Sequence, residues 1–457
     1  MTFPVYERIS GRRPWTELGR LRALQWRPAA ELEGRAMARV RSLMTHAGAH
    51  VPHYRELFAA AGVTAEAIGT VDDMARIPVT TKADLRRRFP EGVTAENLPA
   101  RRRRPRATSG STGLPFQFFR DRAAFDLTVA SYMFFLEWAG SAFWHTRVAV
   151  ASPRHFHTPE PYERGLAALV LRLALGRAEV CLPAIDLTAA ALRDRVARIG
   201  RPYFLWAIAS HASRLAREIL EHGITLRPGP EMVMCAADSL SPGAAVLIGR
   251  AFRVPVVNHY SCREISHIAQ SCQDNPALFH VNAERVVVRV VREDGSTAAP
   301  GERGRLLVTD LANEVMPFIN YEMGDTAVLG PPCPCGRGFP TLSSIEGRSS
   351  ETLVTADGRA LAASSLGMFL VTVCDAMPYV WEYQAVQRAV GTVELRIVPT
   401  ERFSEAVRRR LEASLESLLG PGTVVRVHAV DQIEREPSGK RLIIKSCLDG
   451  SAMPQRG

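Results

Sequence analysis

The apolar pattern changes character twice along the chain, and that succession is what most limits the fold. Between Phe125 and Asp238 helical spacing alternates with short strand-like runs such as Arg147 to Ala151 and Met232 to Ala236, which reads as α/β layering. Val286 to Val291 and Arg305 to Val308 then read as two strands joined through a turn containing Asp294-Gly295, so an antiparallel portion follows. After Arg348 come a strand at Val393 to Val398, a helix from Ser404 to Leu419 closed by Gly420, a strand at Val424 to Val430 and a loop from Glu434 to Lys440. The expected fold class is therefore α/β. A large multi-layer N-terminal domain over residues 1–347 precedes a small, mobile α+β C-terminal domain over residues 348–457. The length of 457 residues favours this division, because single cores rarely grow past ~250 to 300 residues.

In the N-terminal part, Met37, Val40, Leu43, Met44 and Ala47 recur at helical spacing from Glu33 to His46, and Gly48 is expected to end that helix. Pro78, Lys82 and the run Arg101 to Arg106 are expected in irregular surface chain. The longest apolar stretches, around Tyr132 to Phe135 and Leu166 to Leu175, are interrupted by Glu137 and Arg172, well short of the ~20 residues that span a bilayer. No membrane partner is expected. Met1 to Arg13 lacks the layout of a secretory signal, so the expected location is cytoplasmic. With 57 basic and 47 acidic residues the net charge is +10, a modest excess that suits an anionic ligand and does not by itself imply nucleic acid.

Eight cysteines are too sparse for a disulfide scaffold. Cys181, Cys235, Cys374 and Cys447 stand singly in largely apolar surroundings and read as packing residues, whereas Cys262, Cys272, Cys333 and Cys335 share one region. Cys272, His280, Cys333 and Cys335 make three thiolates and one imidazole, a closed set suited to structural Zn²⁺. Cys262 and His267 offer competing ligands, and four reduced thiols near a turn is the plain alternative.

Three segments carry chemistry. Thr108-Ser-Gly-Ser-Thr-Gly-Leu-Pro115 is rich in glycine and hydroxyls, so its backbone amides and side chains could cradle phosphate, or it could be a flexible linker. It is not a Walker loop, since two residues separate Gly110 from Gly113 and Leu114 stands where that loop needs lysine. Asn320-Tyr-Glu-Met-Gly-Asp325 sets a carboxylate after a glycine, able to accept two ribose hydroxyls or simply to face water. Arg435-Glu-Pro-Ser-Gly-Lys440 puts a lysine on a Pro/Gly loop, where a solvated charge is the ordinary outcome.

Taken in order, these segments resemble those of the adenylate-forming enzymes, the acyl-CoA synthetases and adenylation domains. Thr108 to Pro115 resembles their phosphate loop, and Asn258-His-Tyr-Ser-Cys-Arg-Glu264 resembles their Tyr-Gly-x-Thr-Glu segment. Tyr321 to Asp325 resembles the ribose motif, Ile345-Glu-Gly-Arg348 the hinge-proximal motif, and Pro437 to Lys440 the catalytic-lysine loop. The resemblance narrows to the phenylacetate-CoA ligase-like group, including its branch labelled capsular polysaccharide biosynthesis proteins. It does so through Val51-Pro-His-Tyr-Arg55, Ile77-Pro-Val-Thr-Thr-Lys82, Met316-Pro-Phe-Ile-Asn-Tyr321 and Cys333-Pro-Cys-Gly-Arg337. Ser261 stands for the usual glycine, Arg263 for a threonine or serine, and Ser349-Ser350 for an acidic pair.

The resemblance implies an N-terminal adenylation domain, a C-terminal lid and an ATP-dependent ligase. It activates a carboxylate, an aromatic one by expectation, as acyl-AMP and passes the acyl group to coenzyme A. The alternative acceptor is a carrier protein or an amine, and a non-catalytic zinc-containing binding protein is the reading from another class. Implied cofactors are ATP, Mg²⁺, coenzyme A as co-substrate and structural Zn²⁺, with no nucleic-acid partner and a monomer or homodimer as the assembly. By resemblance Ser109, Gly110, Ser111, Thr112 and Gly113 hold the β- and γ-phosphates, and Glu264 binds Mg²⁺. Asp325 holds the ribose, Tyr260 stacks on adenine with Ala237 and Asp238 alongside, and Arg348 sits at the hinge. Lys440 bridges the carboxylate and the α-phosphate, where negative charges must meet. The acyl pocket is expected from Tyr203 to His211, Ala236 to Leu240 and His259 to Cys262, with Trp206 and His211 equally readable as core.

Overall fold

The computed structural model describes residues 6–8, 10–99, 103–107, 116–151, 179–183, 187–237, 240, 242–346, 352–356, 360–362, 366, 369–370, 374, 376, 379–434 and 442–448. Ser109 to Gly113, Asp238, Arg348, Ser349, Ser350 and Lys440 lie outside the described residues.

Helices α1 (Pro14–Leu24), α2 (Ala29–His50) and α3 (Pro52–Ala61) open the chain. The stripe Leu32, Ala36, Met37, Val40, Leu43, Met44 and Ala47 of α2 is buried, as its spacing requires. Gly48 does not end this helix. The helix runs to His50 and stops at Val51, which is extended because Pro52 follows, whereas an interior glycine only weakens a helix. Lys82 is not in irregular chain either. Thr81 accepts from the Asp84 amide at 3.2 Å and donates its own amide to Asp84 at 3.1 Å, a reciprocal cap that starts α4 (Lys82–Arg88). Within the arginine run, Arg104–Ala107 forms a strand paired antiparallel with Gln117–Arg120. Its partner lies beyond residues 108–115, so no local signal announces it.

After α5 (Arg122–Trp138) the chain builds one large sheet. Its strands are β1 (Thr146–Ala151), β2 (Glu179–Pro183), β3 (Tyr203–Ile208), β4 (Val233–Ala236), β5 (Val256–Cys262) and β6 (Ser266–Ser271), followed by β7 (Phe279–Val281), β8 (Val286–Val291), β9 (Arg303–Asp310), β10 (Tyr321–Leu329) and β11 (Thr341–Glu346). Their order is β8-β9-β10-β11-β7-β6-β5-β4-β3-β1-β2. The pairs β2·β1, β1·β3, β3·β4 and β4·β5 are parallel, and every other pair is antiparallel. The parallel part is covered on both faces, which is why its strands are almost uniformly apolar. Phe204, Met234 and Val257 pack under Met133, Phe134 and Phe135 of α5. On the other face Val148, Leu205, Val233 and Cys235 meet helices α6 (Ala189–Val196), α7 (Ala209–Glu221) and α8 (Pro242–Phe252).

A second sheet of four strands, ordered β14-β13-β12-β15, comprises β12 (Val380–Ala389), β13 (Thr392–Pro399), β14 (Val424–Ala429) and β15 (Ile444–Ser446). Helix α9 (Glu405–Leu419) lays Val407, Leu411, Leu415 and Leu419 on its Leu395, Ile397, Val425 and Val427. The Ser404 hydroxyl caps the start and Gly420, at φ 88°, closes the end, within a residue of the sequence boundaries. Two sheets, each with its own core, carry the predicted division into a large α/β unit and a smaller C-terminal one.

Candidate active site

The parallel strands deliver their carboxyl ends to one edge of the large sheet, the place where open α/β sheets bind ligands. Ala237, just beyond β4, is held at φ 65°, and next to it β5 turns into β6 through Arg263 and Glu264. The β5–β6 register shifts between Tyr260 and Ser261, a bulge at the position where the resemblance expects glycine. Arg120 clamps this turn: its guanidinium donates to the carbonyls of Glu264, at 3.2 Å, and of Arg263. Burial, with Arg285 nearby, brings the Arg120 pKa down to about 10, still cationic at neutral pH.

Glu264 is only 5 % exposed, and its carboxylate lies 2.7 Å from Lys82 Nζ, with Tyr321 Oη donating at 3.5 Å. From β5 the Tyr260 hydroxyl donates to the carboxylate of Asp325 on β10. Burial first, then Asp325, push the Tyr260 pKa well above the ordinary phenol value, so it remains a donor. Asp325, 65 residues beyond Tyr260, thus joins Tyr260 and Glu264 at one edge. Lys82, for which the sequence alone suggests no role at the site, joins them. The Thr81/Asp84 cap that aims α4 was the available signal.

The motifs that narrow the resemblance form one scaffold behind these groups. Tyr54 Oη donates to Pro317 O at 2.9 Å and accepts the Ile319 amide at 3.0 Å. Asn320, at φ 50°, donates its side-chain amide to Ile77 O at 2.6 Å. Thr80 N donates to Asn320 O at 3.1 Å and the Glu322 amide to Thr80 O at 2.9 Å, which sets Lys82 beside Tyr321. Of the expected acyl-pocket residues, Tyr203 proves structural: it is buried in the α6–α8 core and donates to Pro228 O at 3.0 Å. His211 is buried, and Trp206 packs against the α5 core.

A second group lies at the β6–β7 hairpin. Cys272, His280, Cys333 and Cys335 bring their ligand atoms within 4.8 Å of one another. Cys272 and Cys333 Sγ are 3.8 Å apart, and Cys335 Sγ lies 3.3 Å from His280 Nε2. Thiolates at ~2.3 Å from a tetrahedral zinc stand roughly 3.8 Å apart, so the donor set has the right chemistry and spacing. Burial lowers the His280 pKa, favouring the neutral ligand form, and its Nδ1 faces Phe339 O at 3.4 Å, which orients the ring. Gly338 lets this loop press onto the N-terminal region, since a Cβ there would sit 1.8 Å from Arg27 O. The competing ligands go elsewhere: Cys262 Sγ accepts the Ile265 amide at 3.3 Å and His267 pairs with His259.

No protein-family model matches the chain. The phenylacetate-coenzyme A ligase of Thermus thermophilus is 26 % identical over 392 residues, covering 83 % of this chain and 84 % of that protein. That of Escherichia coli is also 26 % identical, over 71 % of this chain and 72 % of the relative. Among solved structures, a 2-hydroxyisobutyryl-CoA ligase in its postadenylation state superposes with a TM-score of 0.75 at 20 % identity, covering 94 % of this chain and 92 % of the other. An anthranilate CoA ligase complexed with anthranoyl-AMP gives 0.55 at 14 % identity, over 74 % and 65 %. The fold is that of the CoA ligases. The large sheet is the counterpart of their N-terminal adenylation domain, and the four-stranded sheet with α9 that of their smaller C-terminal domain. Among the described residues no helix is long and apolar enough to cross a membrane.

Proposed function

We propose that this protein is an ATP-dependent, acyl-adenylate-forming ligase that activates an aromatic carboxylate as acyl-AMP and transfers the acyl group to coenzyme A. The observation that carries the reading is the convergence of Tyr260, Asp325 and Glu264 at the carboxyl edge of the parallel strands. The similarity to phenylacetate-CoA ligases supports the acid-thiol ligase class.

The chemical difficulty is charge, because a carboxylate must approach the α-phosphate of a polyanion. Asp325 accepts the ribose hydroxyls, its orientation preset by the Tyr260 hydroxyl, while the Tyr260 ring and Ala237 flank adenine. Ser109, Gly110, Ser111, Thr112 and Gly113 hold the β- and γ-phosphates, Asp238 lines the base and Arg348 the hinge. Glu264 would hold Mg²⁺, which supplies neutralisation of the phosphate charge; an ammonium already 2.7 Å from this carboxylate marks a place built for a cation. Lys82 must then leave Glu264, and the phosphates offer it a new partner. Lys440 enters on the C-terminal domain and stabilises the charge that develops at the α-phosphate.

Cys272, His280, Cys333 and Cys335 would hold a structural Zn²⁺ that clips the β6–β7 hairpin to the loop before β11. The purified protein is expected to carry about one zinc per chain, and Cys333→Ser to lower both metal content and thermal stability. Full loading of the serine variant would remove the site. The narrower placement, in the capsular polysaccharide branch, rests on the motifs around Tyr54, Lys82 and Tyr321.

A panel of carboxylates assayed for pyrophosphate release, with and without coenzyme A, tests the function. ATP-dependent release with at least one acid, and a thioester formed only when coenzyme A is present, is the expected result. Release without thioester redirects the acyl group to a carrier protein or amine, and no release with any acid overturns the ligase reading.

A further inference from the structure

One buried polar chain at the same edge has no part in the nucleotide site. His259, immediately before Tyr260 on β5, pairs in register with Ala236, the last residue of β4. Its Nε2 lies 2.7 Å from Nδ1 of His267 on β6, and its Nδ1 lies 3.2 Å from Gln270 Oε1. Gln270 Nε2 in turn donates to Phe135 O of α5 at 2.9 Å. The Phe135 and Tyr132 rings, centroids 6.4 and 5.5 Å from that of His267, cover the pair from the helix side.

The proton order along this chain is forced from its far end. A carbonyl only accepts, so Phe135 O requires the Gln270 amide to turn its N–H₂ inward and its oxygen toward His259. That oxygen only accepts, so His259 Nδ1 carries the hydrogen. Burial brings the His259 pKa down to about 4, and burial together with His259, Arg285, Arg120 and Arg147 lowers that of His267, so both rings are neutral near pH 7. A neutral His259 protonated on Nδ1 has a bare Nε2. His267 Nδ1 must donate to it, which leaves His267 Nε2 bare in turn. Among the described residues no group donates to that nitrogen, and His267, half-buried, pairs with Ser261 at the β5–β6 bulge, inside the span expected to line the acyl pocket.

We propose that His267 Nε2 is a specificity-determining acceptor in the acyl pocket, and that the acid activated here bears a hydrogen-bond donor, a hydroxyl or amino group, besides its carboxylate. His259 and Gln270 are positioning residues that hold the acceptor state. The inference rests on the ligase reading and deepens it. An acceptor that the bound acid covers discriminates against an isostere lacking a donor, because the nitrogen is then left desolvated and unpaired.

Pyrophosphate release is measured with matched aromatic acids of one skeleton: unsubstituted, hydroxy, amino and methoxy. The best hydroxy or amino acid is expected to exceed both the unsubstituted and the methoxy acid by about tenfold or more in kcat/KM. His267→Phe brings that ratio within about threefold of unity, and His267→Gln, whose amide can donate, admits the methoxy acid. Equal or better use of the unsubstituted or methoxy acid by the unaltered protein overturns the inference and leaves the ligase reading standing. So does a ratio that survives His267→Phe. If no member of the panel, nor any other acid, releases pyrophosphate, the ligase reading falls and takes this inference with it.

Discussion

Lys440→Ala lowers ATP-dependent pyrophosphate release about a hundredfold or more while the protein folds normally, the loss expected when one preorganised charge is removed from a developing anionic centre. Folding is spared because the described chain on both flanks of residues 435–441 is held by other groups. On the N-terminal flank Glu434 pairs with Lys445 at 3.5 Å. On the other, Gln384 Nε2 donates to Leu442 O at 2.9 Å and the Ala385 amide to Ile443 O at 2.8 Å. None of these contacts involves the lysine. Measuring release alongside the melting temperature separates the two effects: unchanged activity removes Lys440 from the chemistry, whereas a parallel collapse of both would make it a structural residue.

The second large effect is on stability. Arg285 and Asp310 form an ion pair at 2.9 Å with side chains 1 % and 0 % exposed, and Arg285 Nη1 also donates to Ala124 O at 2.7 Å in the first turn of α5. Asp310 further accepts the Ala312 amide at 3.0 Å. Asp310→Ala leaves a guanidinium buried without its counter-ion and is expected to cost about 3–5 kcal/mol in urea unfolding of the large domain. Removing both charges, as Arg285→Met with Asp310→Leu, is expected to recover most of that loss, because the desolvation cost disappears along with the attraction. A single-variant loss below about 1 kcal/mol would show that water reaches the pair.

Structure is legible in the sequence wherever one segment carries both partners of an interaction. Helix α9 begins at the Ser404 cap and ends at Gly420 because cap, apolar stripe and stop lie within its own residues. The hairpin strands β8 and β9 likewise carry their turn between them. Misreadings arose where the partner was remote. Gly48 looked like a stop until Val51 and Pro52 supplied the real one, and Arg104–Ala107 became a strand through Gln117–Arg120. The contact of Lys82 with Glu264 depends on Thr80 bridging to Tyr321, far along the chain.

By itself the sequence determined the two-part α/β architecture, the candidate nucleotide residues Tyr260, Glu264 and Asp325, and the candidate zinc ligands. Periodicity, capping and residue type are properties of short segments, and motif order survives without coordinates. Only the tertiary structure decided which cysteines and histidines converge, that an ammonium waits on Glu264, and that His267, His259 and Gln270 join in one relay. Those outcomes depend on distances between strands far apart in the chain and on a hydrogen-bond direction imposed by a helix carbonyl at the other end of the relay.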